Sequence, residues 1–224
     1  MSDGPEGSAQ AALEFVKDGQ TLGLGTGRAA AAFVRALGAR VAEGLNVRGV
    51  PTSDATADLA RQVGIPLLTL EEAGVLDTTF DGADEVDPNL DVIKGYGGAL
   101  VREKIVAASS NQLVILVGSE KRVGMLGERG KLPVEVLGFG QALCETRLTA
   151  LGCNPSLRLN DAGEAYITDN GNPILDCKIA NIPNPKALEA AILDIPGVLG
   201  TGLFVDMADA VVIQDGDNVE VKRR

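Results

Sequence analysis

The chain has 224 residues, of which 45% are hydrophobic, 31 are acidic and 20 are basic, giving a formal net charge of -11. It is too apolar for a disordered chain, and its acidity argues against a general nucleic-acid binder, which needs a basic footprint. Histidine is absent, which excludes Ser-His-Asp catalysis and imidazole-based zinc sites. A general base must therefore be Asp, Glu, Lys, Tyr or Cys.

The cysteines and the N-terminus favour a cytoplasmic protein. Cys144, Cys153 and Cys177 are odd in number and form no CxxC pair, so we predict buried thiols rather than disulfides or a metal cluster. The first ten residues lack the basic and apolar regions of a signal peptide. No uncharged apolar run reaches the ~20 residues that span a bilayer, so we expect no membrane partner.

The first half of the chain alternates between strand and helix. This alternation predicts a parallel sheet with helices packed against it. Helices are predicted over 8–18, 29–42, 55–63 and 99–110, and strands over 21–24, 46–50, 65–69, 77–80 and 113–117.

Around residue 128 the pattern changes, and the order β-α-β-β-α-β indicates a ferredoxin-like domain. Asp169-Asn170-Gly171-Asn172 lies between two apolar runs and predicts a hairpin turn. Two further strands, 210–213 and 219–221, are expected to return to the large sheet. Strands are predicted over 134–137, 156–159, 164–168, 174–178 and 198–204, and helices over 141–151 and 186–194.

We therefore predict an α/β protein with a Rossmann-like, mostly parallel sheet domain and a smaller ferredoxin-like α/β domain. The first domain is expected to contain residues 1–128 and 200–224. The second is expected to contain residues 129–199.

Gly25-Thr26-Gly27 lies between a predicted strand and a predicted helix. Backbone N–H groups at a helix N-terminus bind anions, and glycine allows a phosphate to approach closely. The run also fits the loose dinucleotide pattern G-x-G-x-x-G/A, but no acid stands at the tip of the second strand, residues 50–53. We rank phosphate binding first, a turn without a ligand second and a dinucleotide third.

The run Asp81-Gly82-Ala83-Asp84-Glu85 places three carboxylates after a predicted strand. Ligands of open α/β sheets bind beyond the carboxyl ends of strands. Crowded carboxylates need a metal, a cation or an acid–base role to offset their repulsion. A solvated acidic turn is an equal alternative, and the spacing leaves a magnesium site open.

Two lysines and a glutamate complete the candidate chemistry. Lys94 begins the glycine loop 94–98 and Lys121 follows the strand 113–117, so each is a candidate partner for an oxyanion, with a solvated surface cation as the alternative. Glu103 lies in a helix that is apolar around its whole circumference and should be buried. Apolar surroundings raise the pKa of a carboxyl, as a general base requires, but an internal ion pair is an equal alternative.

Together and in this order, these motifs resemble the A-type ribose-5-phosphate isomerase family. The resemblance extends over nearly the whole chain. The segments that carry it are residues 25–27, 52–55, 81–85, 93–95, 98–100, 102–105, 121, 132–136, 168–172 and 195–198.

The resemblance implies a homodimer that interconverts ribose 5-phosphate and ribulose 5-phosphate without a metal or other cofactor, in the non-oxidative pentose phosphate pathway. It implies that Glu103 is the general base, moving a proton between C1 and C2 through an enediolate. Asp81 and Asp84 would contact the sugar and assist ring opening, while Lys94 and Lys121 would supply positive charge. The implied substrate-binding set is Thr26, Gly27, Arg28, Ala29, Asp81, Gly82, Ala83, Asp84, Lys94, Gly95, Tyr96, Gly97 and Lys121.

The chain departs from the family pattern at two places. Arg28 and Ala29 stand where the family usually has Ser-Thr. Arg28 either replaces those hydroxyls with a planar guanidinium that can donate two hydrogen bonds to a phosphate or points to solvent. Tyr96 stands where the family often has glycine, and we expect it to narrow the sugar pocket.

Other functions on the same fold remain alternatives. A non-catalytic sugar-phosphate sensor usually carries a helix-turn-helix, for which the roughly 20 residues before the first strand are too few. A CoA-transferase with a glutamate nucleophile and a dinucleotide oxidoreductase are the other candidates. Sugar-phosphate deaminases rely on histidine, which this chain lacks.

Overall fold

The computed structural model describes residues 5–224, which divide into two compact units. The first unit contains residues up to 83 together with 102–122 and 207–224, and the second contains 84–101 and 123–206. Residues 84–101, 123–128 and 200–206, which the sequence placed in the first domain, are therefore grouped with the second unit. No helix within residues 5–224 is long and apolar enough to cross a membrane.

The strands and helices are numbered in chain order. The strands are β1 Thr21–Leu24, β2 Arg48–Pro51, β3 Thr78–Gly82, β4 Glu85–Val86, β5 Val92–Ile93, β6 Leu113–Gly118, β7 Leu132–Val136, β8 Asn154–Leu157, β9 Ile174–Lys178, β10 Val198–Thr201, β11 Leu203–Phe204, β12 Ala210–Asp215 and β13 Asn218–Arg223. The helices are α1 Glu6–Ala12, α2 Arg28–Ala42, α3 Asp54–Gln62, α4 Leu70–Ala73, α5 Leu100–Ala108, α6 Gln141–Ala150 and α7 Pro185–Leu193.

The first unit is built on a six-stranded sheet in the order β13-β12-β6-β3-β1-β2. All neighbouring strands are parallel except the hairpin of β12 and β13. The direction in which the chain adds strands reverses between β1 and β3, as in doubly wound α/β sheets. The predicted Rossmann-like sheet and its two returning C-terminal strands are confirmed.

Apolar side chains lie on both faces of this sheet, since alternate residues of a strand point to opposite faces. Leu22 and Leu24 of β1 join a core with α2, in which the rings of Phe33 and Phe80 stack with centroids 4.2 Å apart. Gly23 faces the other side, where α5 approaches so closely that Val106 would lie 2.7 Å from an added Cβ. One face thus packs against α2, and the other carries α5.

The second unit contains an antiparallel sheet in the order β10-β7-β9-β8. With α6 after β7 and α7 after β9, this is the βαββαβ arrangement of ferredoxin-like domains, as predicted. One face of β7 and β9 forms a core that contains all three cysteines as buried free thiols, also as predicted. A second small sheet of this unit has the order β11-β5-β4.

Two predicted strands are absent as regular strands. Residues 164–168 make only isolated bridges, Leu159 with Ala165 and Ile167 with Pro173. Tight turns at 160–163 and 168–171 leave too short a stretch between them for a ladder. The predicted strand 65–69 is likewise reduced to one bridge between Gly49 and Leu67, because the chain turns into α4 immediately afterwards.

Candidate active site

The glycine loop after β1 and the acidic end of β3 meet in the first unit. Open α/β sheets bind ligands where the strand order reverses, beyond the carboxyl ends of the strands, and β1 and β3 flank that point. The Thr26 N–H donates to Asp81 Oδ1 at 3.1 Å, and the Gly82 N–H donates to the same oxygen at 2.8 Å. The sheet therefore brings two of the motifs singled out in the sequence into direct contact.

Gly25 allows this contact because it has no side chain. A Cβ at this position would lie 2.2 Å from Asp81 Oδ1 and 2.6 Å from its Cα. Any larger residue would have to displace β3 or the Asp81 carboxylate. Gly25 is therefore required by the close approach of its own backbone to that of β3.

A cluster of hydroxyl groups supports the loop, and of its members only Thr26 was among the predicted site residues. Thr26 Oγ1 lies 2.7 Å from Thr52 Oγ1 and donates to Ser53 Oγ at 2.8 Å. Thr56 donates its hydroxyl to the carbonyl of Gly25 at 2.9 Å. The available sequence signal was an N-cap pattern, since Ser53 accepts from the Thr56 N–H at 3.1 Å and is the N-cap residue of α3.

Arg28 begins α2, and its side chain is exposed. Gly27 is the N-cap residue, and its carbonyl accepts the N–H of Ala31 at 2.8 Å. A Cβ on Gly82 would lie 3.9 Å from that of Ala29, so the first turn of α2 lies beside the end of β3. This is the backbone geometry of an anion site at a helix N-terminus.

Glu103 is 4% exposed and lies in the first turn of α5. One turn later, Val106 packs over Gly23 and its carbonyl lies 3.5 Å from Thr79 Oγ1. Residues three apart on a helix share a face, so Glu103 is directed toward the same face of the sheet. Asp81 also points to that face, because it is two residues from Thr79.

The first turn of α5 lies at the carboxyl end of the sheet. Arg102, next to Glu103, forms an ion pair of 2.8 Å with Asp54 at the start of α3. Since α3 directly follows β2, this contact places Glu103 at the end of the sheet that carries the glycine loop. Lys121 belongs to this unit too, in the 3-10 turn Ser119–Lys121 that follows β6.

The second unit brings together the other predicted site residues. The Tyr96 N–H donates to Asp84 Oδ2 at 3.0 Å, and the Asp84 N–H donates to the carbonyl of Ile93 at 2.8 Å. Lys94 is 2% exposed, and its Nζ lies 5.6 Å from the centre of the Phe204 ring. Asp84 and the loop that begins at Lys94 therefore form one hydrogen-bonded group.

The Tyr96 ring packs against the core of the second unit. Its hydroxyl donates to the carbonyl of Lys131 at 3.1 Å, and Lys131 Nζ lies 4.9 Å from the ring centre. Burial raises the pKa of Tyr96, so the phenol stays protonated and remains a donor. The ring therefore contributes to the packing of this unit, and its role of narrowing the sugar pocket stays a prediction.

The three carboxylates of the acidic run have different surroundings. Asp81 accepts N–H groups of the first unit, and Asp84 accepts the N–H of Tyr96. Glu85 is fully buried and accepts the N–H groups of Gly127 and Arg129 at 2.6 and 2.8 Å. Within residues 5–224, no three His, Cys, Asp or Glu side chains are grouped as ligands for a metal ion.

Comparison with known proteins gives one consistent family. Residues 48–218 match the model of the family described as ribose 5-phosphate isomerase A (phosphoriboisomerase A). The ribose-5-phosphate isomerase A of Roseiflexus castenholzii is 52% identical over 214 residues, which cover 95% of this chain and 92% of that protein.

Solved structures agree over the same length. A ribose 5-phosphate isomerase A from Methanocaldococcus jannaschii is 41% identical with a TM-score of 0.94, and the match covers 98% of both chains. A D-ribose-5-phosphate isomerase in complex with phospho-erythronic acid is 36% identical with a TM-score of 0.95, covering 98% of this chain and 97% of that one. From the matching motifs, the shared fold and this near-complete coverage, we conclude that the chain belongs to the ribose 5-phosphate isomerase A family.

Proposed function

We propose that this protein interconverts D-ribose 5-phosphate and D-ribulose 5-phosphate as an aldose–ketose isomerase. The observation that carries the proposal is the placement of Glu103. It is a nearly buried carboxylate at the carboxyl end of the sheet, on the same face as Asp81, in a chain that belongs to this family over almost its whole length. The reaction needs a base that removes a proton from carbon. In a chain without histidine, that base must be an Asp, Glu, Lys, Tyr or Cys side chain.

The proposed chemistry is a proton transfer within the open-chain sugar. The Glu103 carboxylate removes the proton from C2 of the aldose, and the electron pair of that C–H bond forms the C1–C2 double bond of an enediolate. The same carboxyl group returns the proton to C1 while the hydroxyl proton of O2 moves to O1, so that the ketose forms without gain or loss of atoms. Lys94 and Lys121 would stabilise the negative oxygen of the intermediate.

The remaining predicted roles concern binding and ring opening. We propose that the N–H groups of Gly27 and the first turn of α2 bind the phosphate, because this backbone has the geometry of an anion site. Asp81 and Asp84 would bind sugar hydroxyls and transfer the proton that opens the furanose ring. Both carboxylates are oriented by backbone N–H donors, which fixes their position before the substrate arrives.

The experiment that tests this function measures ribulose 5-phosphate formation from ribose 5-phosphate in the presence of EDTA. We expect wild-type turnover to persist and the variant Glu103→Gln to lose about 10²–10⁴-fold in kcat, the usual effect of removing a positioned base. Glutamine keeps the shape of the side chain, so the melting temperature should change little.

The matched control is Glu43→Gln, which changes an exposed glutamate paired with Arg40 on the surface. Its kcat should equal that of the wild type. Near-normal turnover in Glu103→Gln would disprove the assignment of the base. Binding of ribose 5-phosphate by the wild type without any turnover would favour the sugar-phosphate sensor instead.

We further infer that the protein is a cytoplasmic homodimer in the non-oxidative pentose phosphate pathway. The pathway follows from the reaction and the family. Free, buried cysteines are consistent with a reducing compartment. The second unit exposes large apolar side chains, including the fully exposed Phe139 and the partly exposed Leu137 and Leu143, which association would remove from water.

A further inference from the structure

Arg158 follows β8 in the second unit and is held rigidly by Asp176 on β9. Its side chain is only 8% exposed. Nε donates to Asp176 Oδ2 at 2.9 Å, and Nη2 donates to Oδ1 of the same carboxylate. Lys131 Nζ lies 3.0 Å from Asp176 Oδ2 and adds a second positive charge. A bidentate pair of this kind fixes the plane of the guanidinium.

The remaining nitrogen of that guanidinium is directed at the glycine loop. Nη1 of Arg158 donates to the carbonyl oxygens of both Gly95 and Tyr96, each at 3.1 Å. The next carbonyl, that of Gly97, accepts the hydroxyl of Tyr166 at 3.2 Å, and the Arg158 guanidinium lies 5.7 Å from the Tyr166 ring centre. Three consecutive carbonyls of the loop are thus held by two adjacent side chains.

One peptide group connects Arg158 to Asp84. In a trans peptide the C=O and the N–H point in opposite directions. The Gly95 carbonyl accepts from Arg158 while the N–H of the same peptide, on Tyr96, donates to Asp84 Oδ2 at 3.0 Å. A cation bound to the carbonyl polarises the amide and strengthens its N–H as a donor. Asp176, Arg158, the peptide and Asp84 therefore form one chain of hydrogen bonds.

We propose that Arg158 is a positioning residue, which fixes the carboxylate of Asp84 through the peptide between Gly95 and Tyr96. The proposal rests on the proposed function, in which Asp84 contacts the sugar. The ion pair with Asp176 uses only Nε and Nη2 of Arg158. The third nitrogen binds two loop carbonyls, a task that needs the planar fork and not the charge alone.

The test compares Arg158→Lys in the wild type and in the variant Asp84→Asn. Lysine keeps the charge, but its single nitrogen cannot reproduce the two-point contact with Asp176 and at the same time reach both loop carbonyls. We expect Arg158→Lys to lower kcat by about 10- to 100-fold, since misplacing a reacting group by about 1 Å has an effect of this order, with KM changed less. In the Asp84→Asn background the same substitution should lower kcat by less than about 3-fold, because the two changes then affect one shared function.

The control is Arg61→Lys, which alters an exposed pair with Asp58 and should leave kcat unchanged. Two results would overturn the proposal: a wild-type kcat for Arg158→Lys, or the same loss of kcat in both backgrounds. The second result would indicate a general structural role for Arg158.

Two further measurements keep the test decisive. If Arg158→Lys melts below the assay temperature, Asp176→Asn takes its place. Asparagine still accepts one hydrogen bond from Arg158 but no longer fixes the orientation of the guanidinium plane. The same dependence on Asp84 is expected for that variant, and its absence would refute the proposal. Hydrogen exchange of the Tyr96 amide, which should accelerate in Arg158→Lys, tests the connection without any substrate, so its outcome stands even if the wild type lacks isomerase activity.

Discussion

Arg28 is the residue at which the candidate phosphate loop differs most from the family pattern. It stands at the first position of α2, next to the N–H groups that we propose bind the phosphate, and its side chain is exposed. A guanidinium there can supply two charge-assisted donors to a phosphate, in place of two hydroxyls. The phosphate of the substrate is remote from the carbons between which the proton moves, so this interaction should stabilise the bound substrate and the transition state equally.

We therefore predict that Arg28→Ala raises KM for ribose 5-phosphate by about 10-fold, the equivalent of one hydrogen bond to a charged group. Uniform binding of this kind leaves kcat within about 2-fold of the wild type. Steady-state kinetics test this, with Arg35→Ala, an exposed arginine of the same helix, as the control. An unchanged KM would mean that Arg28 points to solvent and that the backbone binds the phosphate alone.

At the scale of elements, one buried carboxylate holds the turn 168–171, which lies inside the isolated bridge between Ile167 and Pro173. Glu135 on β7 is fully buried, and its Oε1 accepts from Thr168 Oγ1 at 3.0 Å. The side-chain amides of Asn170 and Asn172 donate to the same oxygen at 3.1 and 3.0 Å. The sequence run that predicted a hairpin turn thus owes its conformation partly to Glu135, which lies 35 positions before Asn170 and 37 before Asn172.

Replacing Glu135 should accordingly destabilise the second unit. We predict that Glu135→Ala lowers the free energy of unfolding by about 2–4 kcal/mol, because charge-assisted hydrogen bonds are lost and the buried Thr168 hydroxyl is left without this acceptor. Urea denaturation followed by circular dichroism measures the change. Glu164→Ala, at an exposed glutamate of the same segment, should stay within about 0.5 kcal/mol of the wild type, and a similarly small change for Glu135→Ala would contradict this account.

At the scale of the whole molecule, the prediction concerns association. One chain has a mass of 23.1 kDa, and its second unit exposes Phe139 completely. We expect light scattering after size exclusion to give twice the mass of one chain, because burying apolar side chains between two copies removes them from water. A mass of one chain that persists at the highest concentration tested would contradict the homodimer.

Much of the fold could be read from local patterns. The alternation of apolar runs and helical segments predicted the parallel sheet, and the βαββαβ order predicted the ferredoxin-like sheet, because both depend on the period with which side chains face a core. The strand predicted over 164–168 was wrong, since the turns on either side of it leave only isolated bridges. The grouping of residues 84–101 with the second unit depends on the pairing of β5 with β11, more than a hundred residues later, which no local pattern reveals.

By itself, the sequence determined which chemistry is available: an acidic chain without histidine, a glycine loop before a helix, an acidic run after a strand and one glutamate in an apolar helix. These properties follow from residue type and spacing. Only the tertiary structure decided that Glu103 and Asp81 share one face of the sheet, that the Tyr96 ring packs into a core, and that Arg158 binds the loop carbonyls. Such contacts join residues distant in the chain, and their geometry is set by the packing of sheets and helices rather than by any local preference.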